Sequence, residues 1–284
     1  MLTVVVVHRN RPERLRVTVD ALRAQTEPTR VLVVDAGSSE EAQAAARVVV
    51  EERPEDEYLA FAANLGFGPG ANVGLRRWLE AGEGDWVGLC PHDAFPAPDC
   101  VATMLAAVAP RRRAGLASAD VGDGLSAVVD RYFGPLFRPA AVEVGWEPVD
   151  YPHGTLLLAS RGCLEDVGVF DERYFSYCEE ADLGLRASAR GWEIGLVRGA
   201  RVTNTDLSSS VAMVDYLQLR NTLLLLRDHF GRYAAVVRFT TALVQLVTQT
   251  LLPSRRPMIF DARARRLALR DHLKGCYGPP AADL

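Results

Sequence analysis

Hydrophobic and polar positions alternate in two rhythms along the first third of the chain. Leu2–Val7, apolar but for Thr3, reads as a continuous strand covered on both faces. Pro12 stands where a first helical turn tolerates proline, and Leu15, Val19 and Leu22 continue a helical stripe. Val31–Asp35 is a second strand pattern; Gly37-Ser38-Ser39 then supplies a loop and a cap for a helix reaching about Glu52. Tyr58–Ala62, Gly70–Ala81 and Asp85–Cys90 read as strand, helix and strand. This alternation predicts right-handed strand–helix–strand units, hence an α/β fold with a largely parallel sheet. In such sheets ligands sit beyond the carboxyl ends of the strands. The residues expected there are His8-Arg9-Asn10, Asp35, Asn64 to Asn72 and Pro91-His92-Asp93.

From Gly115 to about Asp150 the alternation decays into a stretch punctuated by glycine and proline. Residues 154–159 return to a strand pattern, Ser160 caps a short helix over Arg161–Val167, and an aromatic-rich loop occupies Phe170–Phe175. A helix from about Glu179 to Arg190 ends at Gly191, and residues 193–203 supply one or two strands. Two long helical patterns, Val211–Phe230 and Tyr233–Leu252, precede a shorter basic one, Arg263–Lys274. The second is apolar over nearly a membrane span but carries Arg238, Gln245 and Gln249, which predicts an interfacial or core-packed helix. Arg255-Arg256 beyond it suits an anionic membrane surface.

Composition narrows the chemistry. With 49% hydrophobic and 24% charged residues in 284, this is an ordinary folded chain, neither disordered nor disulfide-built. A net charge of -4 gives no reason to expect a nucleic-acid partner. Lys274 is the only lysine, which excludes Schiff-base and phosphate-loop lysine mechanisms. The five cysteines form no C-x-x-C pair, so reduced thiols are expected. The leading apolar run is too short for a signal peptide and its charges follow it, which points to the cytoplasm.

Four groups of residues carry candidate chemistry. Gly66-Phe67-Gly68-Pro69-Gly70-Ala71-Asn72 follows the third strand rather than the first, so it does not suit a dinucleotide fingerprint or an oxidoreductase. It is either a glycine-rich turn or, as preferred here, a helix start where backbone approaches a diphosphate, with Asn64 and Asn72 assisting. Asp35 ends a strand, either capping the next helix or holding a ligand. His92-Asp93 pairs an imidazole with a carboxylate, a combination that can ligate a divalent cation. Glu179-Glu180-Ala181-Asp182 opens a helix with three acids. They suit the macrodipole, but they also repel one another and raise the proton affinity of at least one, as a general base requires. Glu179 and Asp182 are expected to share a helix face while Glu180 points elsewhere, and His153 is a second candidate base.

Taken in order, these segments resemble the family 2 glycosyltransferases, especially the bacterial rhamnosyltransferase and galactofuranosyltransferase branch. The resemblance rests on Val4-Val5-Val6-Val7-His8-Arg9-Asn10-Arg11-Pro12, Val33-Val34-Asp35-Ala36-Gly37-Ser38 and Asn64–Asn72. Val167–Phe175 running on through Glu179–Ala187, then Gly191-Trp192, Gly199–Val202 and Arg220-Asn221, extend it to about residue 230. It implies a GT-A fold: a mixed, mostly parallel sheet flanked by helices, with a catalytic domain over 1–205 and a helical extension over 206–284. It implies an inverting transfer of a sugar from a dTDP- or UDP-linked donor to a hydroxyl of a glycan, lipid-linked or natural-product acceptor, as in cell-wall or polysaccharide synthesis. Asp35 would hold the donor's base, helped by His8 and Asn10; Asn64, Gly68, Asn72 and His153 would complete the donor site. Asp93, with His92, would hold Mg2+ or Mn2+. Glu180 would take the acceptor proton, with Glu179 and Asp182 in support. Pro91, Ala36 and Asn204 depart from the family pattern, which leaves His92 or Asp206 as substitute ligands and gives arginine a larger share of the diphosphate charge. The departures also keep open a nucleotide-sugar-binding or partner-binding protein without turnover. For the C-terminal helices the expected partners are a membrane surface, touched peripherally from its inner face, or a second copy of the chain.

Overall fold

The computed structural model describes residues 1–204 and 210–281. The chain alternates β1 (Leu2–His8), α1 (Pro12–Arg23), β2 (Thr29–Ala36), α2 (Glu40–Val50), β3 (Glu57–Phe61), α3 (Phe67–Ala81) and β4 (Trp86–Pro91). After β5 (Phe95–Pro96) and α4 (Cys100–Val108) come four strands: β6 (Ala114–Asp120), β7 (Leu125–Asp130), β8 (Gly134–Pro139) and β9 (Gly145–Pro148). Then follow β10 (Leu157–Ser160), α5 (Arg161–Val167), α6 (Glu179–Ala189), β11 (Glu193–Thr203), α7 (Val211–Leu251) and α8 (Ala262–Lys274).

Nine strands form one mixed sheet in the order β3-β2-β1-β4-β10-β6-β11-β5, with β9 paired to β11. The β3, β2, β1 and β4 block is parallel, as is β6 with β11, while β10 runs antiparallel between β4 and β6. The sheet is covered on both faces. Val4 and Val6 enter one core with Leu15, Val19 and Met104, whereas Val5 and Val7 enter the other with Leu75, Trp78 and Leu183. That division is why β1 reads as continuous valine rather than an alternating pattern. Ser39 and Ser160 cap α2 and α5 through their hydroxyls, as their sequence positions suggest.

The stretch between Gly115 and Asp150 is a set of strands rather than irregular chain. β6 is built from small residues, Ala-Gly-Leu-Ala-Ser-Ala-Asp, and is buried along its whole length. β7 and β8 form a separate hairpin. The two long C-terminal patterns are two helices, as the sequence predicts; within α7 they meet at Gly231, whose non-helical backbone has a φ of 88° that glycine adopts freely. The expected division at residues 205/206, and Asp206 itself, lie outside the described residues.

α3 rides directly on β1. A Cβ at Gly74 would fall on the Val5 side chain, and one at Gly70 would press on Val7. Val5 is fully buried and has nowhere to go. Gly74→Ala should therefore lose about 1–3 kcal/mol to overpacking, outweighing the ~1 kcal/mol that alanine gains in helix propensity. Urea denaturation would measure it.

Candidate active site

The parallel block delivers its carboxyl-terminal residues to one edge of the sheet, and a cleft of about 520 Å³ opens beside β4 and the start of α6. Glu179, Glu180, His153, Pro91 and Asn204 line it, together with Tyr151, Phe137, Tyr177, Gln218 and Thr222. The last five carried no signal in the sequence. A tyrosine in a glycine- and proline-punctuated stretch, or a glutamine inside a helix, becomes part of a site only when distant elements meet.

Glu179 and Glu180 both face the cleft, and Asp182 does not, contrary to the expected pairing of Glu179 with Asp182. Asp182 is tied instead to Arg186 Nε and His229 Nε2, each at 2.8 Å, and so fastens α6 to α7. The reason lies in the helix start. Cys178, the N-cap, adopts a left-handed φ of 71°, so the first two helical residues open together on the cleft. Burial pushes the Glu180 carboxyl up to about 7. Glu179 is 2% exposed; burial first, then the charge of Glu180, holds it well above the usual carboxylate range. Both carboxyls thus hold their protons more tightly than a free glutamate does, and that of Glu180 exchanges near neutral pH.

The segment leading into this pair is strained and heavily clamped. Phe175, Tyr177 and Cys178 all have positive φ, at 65°, 68° and 71°. On one side, the amides of Phe67 and Gly68 donate to Ser176 Oγ and the Phe175 carbonyl. On the other, Asn221 of α7 is wholly buried, and its Nδ2 lies 2.8 Å from the carbonyl oxygens of Tyr174, Ser176 and Tyr177. One amide therefore organises the turn that presents Glu179 and Glu180.

These contacts also correct the reading of the glycine-rich segment. The first amides of α3 are spent on the 175–176 turn, so Gly68 offers no free N–H to a diphosphate. Its neighbours Gly70 and Gly74 serve close packing on β1. Asn72 is wholly buried; it donates to the Phe170 carbonyl and Glu172 and accepts from Phe170 N, which joins α3 to the 170–175 loop instead of a ligand. Asn64 is exposed and accepts from Gly66 N.

At the ends of β1 and β2, Asn10 is exposed in a left-handed conformation. Its backbone amide donates to Ser38 Oγ, and its Oδ1 accepts from Ser39 N. Asp35 is wholly buried, accepting from Ser38 N and from the Tyr58 hydroxyl. His8 is equally buried, with Nδ1 3.9 Å from Asp35 and its ring centroid 5.3 Å from that of His92. Burial and the neighbouring His92 push it down to about 4, so it is neutral under ordinary conditions and lies beneath the surface, out of reach of a donor. His92 is turned the same way, Nδ1 3.3 Å from the Val7 carbonyl, so it presents no ligand to the cleft. Asp93 accepts from Asn204 Nδ2 at 3.3 Å. Among the described residues no group of three or more His, Cys, Asp or Glu side chains is placed to hold a metal ion. His153 does reach the cleft, where its Nδ1 meets the Thr155 hydroxyl at 2.9 Å and burial lowers its proton affinity.

Residues 3–134 match the sequence profile of glycosyl transferase family 2. The chain carries a family 2 glycosyltransferase domain. Beyond the profile, this glycosyltransferase is 29% identical over 255 aligned residues to the N-acetylglucosaminyl-diphospho-decaprenol L-rhamnosyltransferase of Mycobacterium tuberculosis, covering 76% of this chain and 81% of the relative. It is 28% identical over 121 residues to the low-salt glycan biosynthesis hexosyltransferase Agl10 of Haloferax volcanii, covering 38% of this chain and 39% of that one. The fold is that of the mannosyltransferase PcManGT of Pyrobaculum calidifontis, solved with GDP-Man and Mn2+ (TM-score 0.60, 16% identity, 96% of this chain and 86% of that one). It is also that of GalNAc-T7, solved with UDP, GalNAc and Mn2+ (TM-score 0.65, 13% identity, 98% and 55%). The glycosyltransferase thus has the GT-A architecture, with long C-terminal helices added.

The position of Gly154 bears on the paired glutamates. A Cβ there would fall on Glu180 Oε1. Because that oxygen ends a flexible side chain, Gly154→Ala should leave stability within about 1 kcal/mol while displacing the carboxylate. If this carboxylate acts on the substrate, transfer should drop by about 10- to 100-fold, the order of cost of a 1 Å misplacement. Parallel melting and turnover measurements would show the split.

Proposed function

We propose that this glycosyltransferase moves a sugar from a dTDP- or UDP-linked donor to an acceptor hydroxyl with inversion, Glu180 acting as general base. The observation that carries the reading is Glu180 lining the cleft beside Glu179, where burial raises the proton affinity of both carboxyls, that of Glu180 to about 7. A base with that affinity takes the hydroxyl proton as the new bond forms, and the nucleoside diphosphate leaves from the opposite face of the sugar. Asn10 and Ser38 at the strand ends fit the nucleoside, with Asp35 held beneath them by Tyr58. Arg9 and Arg11 stand at the same edge and supply positive charge for the diphosphate, since the first amides of α3 are already engaged. The relatives solved with Mn2+ suggest Mg2+ or Mn2+ on the donor. Asp93, the carboxylate that the family resemblance marks for the metal, is paired with Asn204 and falls short of a metal cage among the described residues, so no step is routed through a metal.

The decaprenol-linked substrate in the mycobacterial relative's name favours a lipid-linked glycan acceptor, a role in cell-wall synthesis and a cytoplasmic enzyme working at the inner face of a membrane. The catalytic unit is taken to end near residue 205, where the helical extension begins. Thermal-shift titration with UDP-, dTDP- and GDP-sugars, with and without Mn2+, tests the reading. One nucleotide-sugar should raise Tm by several degrees, as about 3 kcal/mol of linkage at 100-fold excess over Kd predicts, and should then be consumed when acceptor is added. Stabilisation without consumption would point to a binding protein instead, and no response to any donor would defeat both readings.

A further inference from the structure

The segment of α7 beyond Gly231 has two faces. One packs on α8, with Ala242 and Leu246 buried against Ala264, Ala268 and Leu269. The other is bare: Tyr233 is 71% exposed, and Val236, Leu243, Val244, Val247 and Leu251 are exposed with it. These positions recur at helical spacing and make a straight apolar stripe about 27 Å long at 1.5 Å per residue. Leu252 and Met258, the latter 89% exposed, prolong it past the end of the helix.

Charge sets this region apart from the rest of an acidic chain. Between residues 232 and 274 nine arginines and lysines stand against two carboxylates, Asp261 and Asp271, and no acid occurs from His229 to Phe260. Arg232 flanks one end of the stripe, and Arg255 and Arg256 flank the other, all three exposed. The apolar surface also continues toward the cleft. Tyr233 meets Tyr132 edge-to-face at 6.3 Å between centroids, and next to Tyr132 the β8 hairpin exposes Phe133, Leu136 and Phe137, of which Phe137 lines the cleft.

We infer that the stripe Tyr233–Leu251, with Arg232, Arg255 and Arg256, seats the protein flat on an anionic lipid surface. A bilayer fits both halves of the pattern: acyl chains take the apolar side chains, and anionic headgroups take the arginines. A second copy fits only one half. Stripes paired by a two-fold axis would bring Arg255 and Arg256 of one copy toward Arg232 of the other, with no acid between His229 and Phe260 to offset them. A spanning helix would have to leave α8 and carry Arg238, now half-buried beside Gln245, through the hydrocarbon. Seated flat, the protein would hold its β8 hairpin and cleft mouth near the headgroups, within reach of a lipid-linked acceptor. That last consequence rests on the proposed function, whereas the seating does not.

Co-sedimentation of the full chain with phosphatidylcholine vesicles, with and without phosphatidylglycerol, tests the seating with no reliance on turnover. Binding should appear on the anionic vesicles and fall at high salt. The exposed substitutions Val244→Asp with Val247→Asp should abolish it, and Arg255→Glu with Arg256→Glu should weaken it by at least about tenfold, all with unchanged Tm. Equal binding to neutral vesicles, no binding to either, resistance to carbonate extraction, or a dimer that Val247→Asp dissolves without any vesicle binding would each overturn it. If vesicles bind and no donor is ever turned over, the seating stands and the proposed function fails.

Discussion

Glu180→Gln should abolish transfer while leaving the protein folded and donor-competent. A positioned general base contributes about 10²–10⁴-fold, so kcat should fall by at least 100-fold, with donor KM changed only a few-fold. The wild-type rate should climb with pH to a plateau above about 7, where Glu180 has lost its proton, and the residual rate of the variant should be flat across the same range. Stability moves the other way. Burial raises this carboxyl from 4.5 to about 7 in the fold, so the folded chain keeps a proton that the unfolded chain releases. The group's contribution is therefore full below 4.5 and is lost as pH rises through about 7. Glu180→Gln, which has no proton to lose, should reduce that loss in melts run from acid to neutral pH. Transfer surviving within a few-fold would show that the base lies elsewhere.

Asn221→Leu should be the most damaging change outside the cleft. It removes the donor that faces three carbonyl oxygens, at 2.8 Å each, in a turn with three positive-φ residues. The Tyr174 carbonyl still accepts from Ser176 N at 2.7 Å, and a buried acceptor that does lose its partner costs about 1–3 kcal/mol. Partial relaxation and solvent entry bring the expected total to about 2–5 kcal/mol, or a fall in Tm on the order of 5–15 °C. Assayed well below its melting point, the variant should still lose at least tenfold in kcat with donor KM little changed, because relaxation of the turn moves Glu179 and Glu180 together. Unchanged kcat at any temperature where the variant is folded would make Asn221 a stabilising residue alone.

The boundary of legibility runs along a physical line. β1, α5 and the caps at Ser39 and Ser160 could be read from residues because their determinants are local: an apolar run, or a hydroxyl one turn ahead of an unpaired amide. The strands β6 to β9 could not, because β6 is made of small residues and β7 and β8 draw their order from each other. The acidic cluster at 179–182 was legible as chemistry, but its division of labour was not. Helical spacing groups residue i with i+3, whereas the left-handed Cys178 turns the first two acids into the cleft and leaves Asp182 to Arg186 and His229. Glycine was the most misleading residue. In Gly66–Gly74 it signals close approach of backbone to something, and only the fold shows that the something is β1 and the 175–176 turn rather than a diphosphate. Asn221 was visible in the sequence without a role, since its three acceptors lie more than forty residues away.

The scarcity of lysine has a practical side. Lys274 is exposed at the last turn of α8, on the helical extension. Apart from the terminal amine it is the one primary amine on the molecule, so an amine-reactive tether will capture the enzyme at a defined place. Copies attached through Lys274 should share one orientation on a sensor surface, which makes donor titrations comparable from molecule to molecule. A Lys274→Arg variant, blocked at its terminus, would refuse the tether altogether.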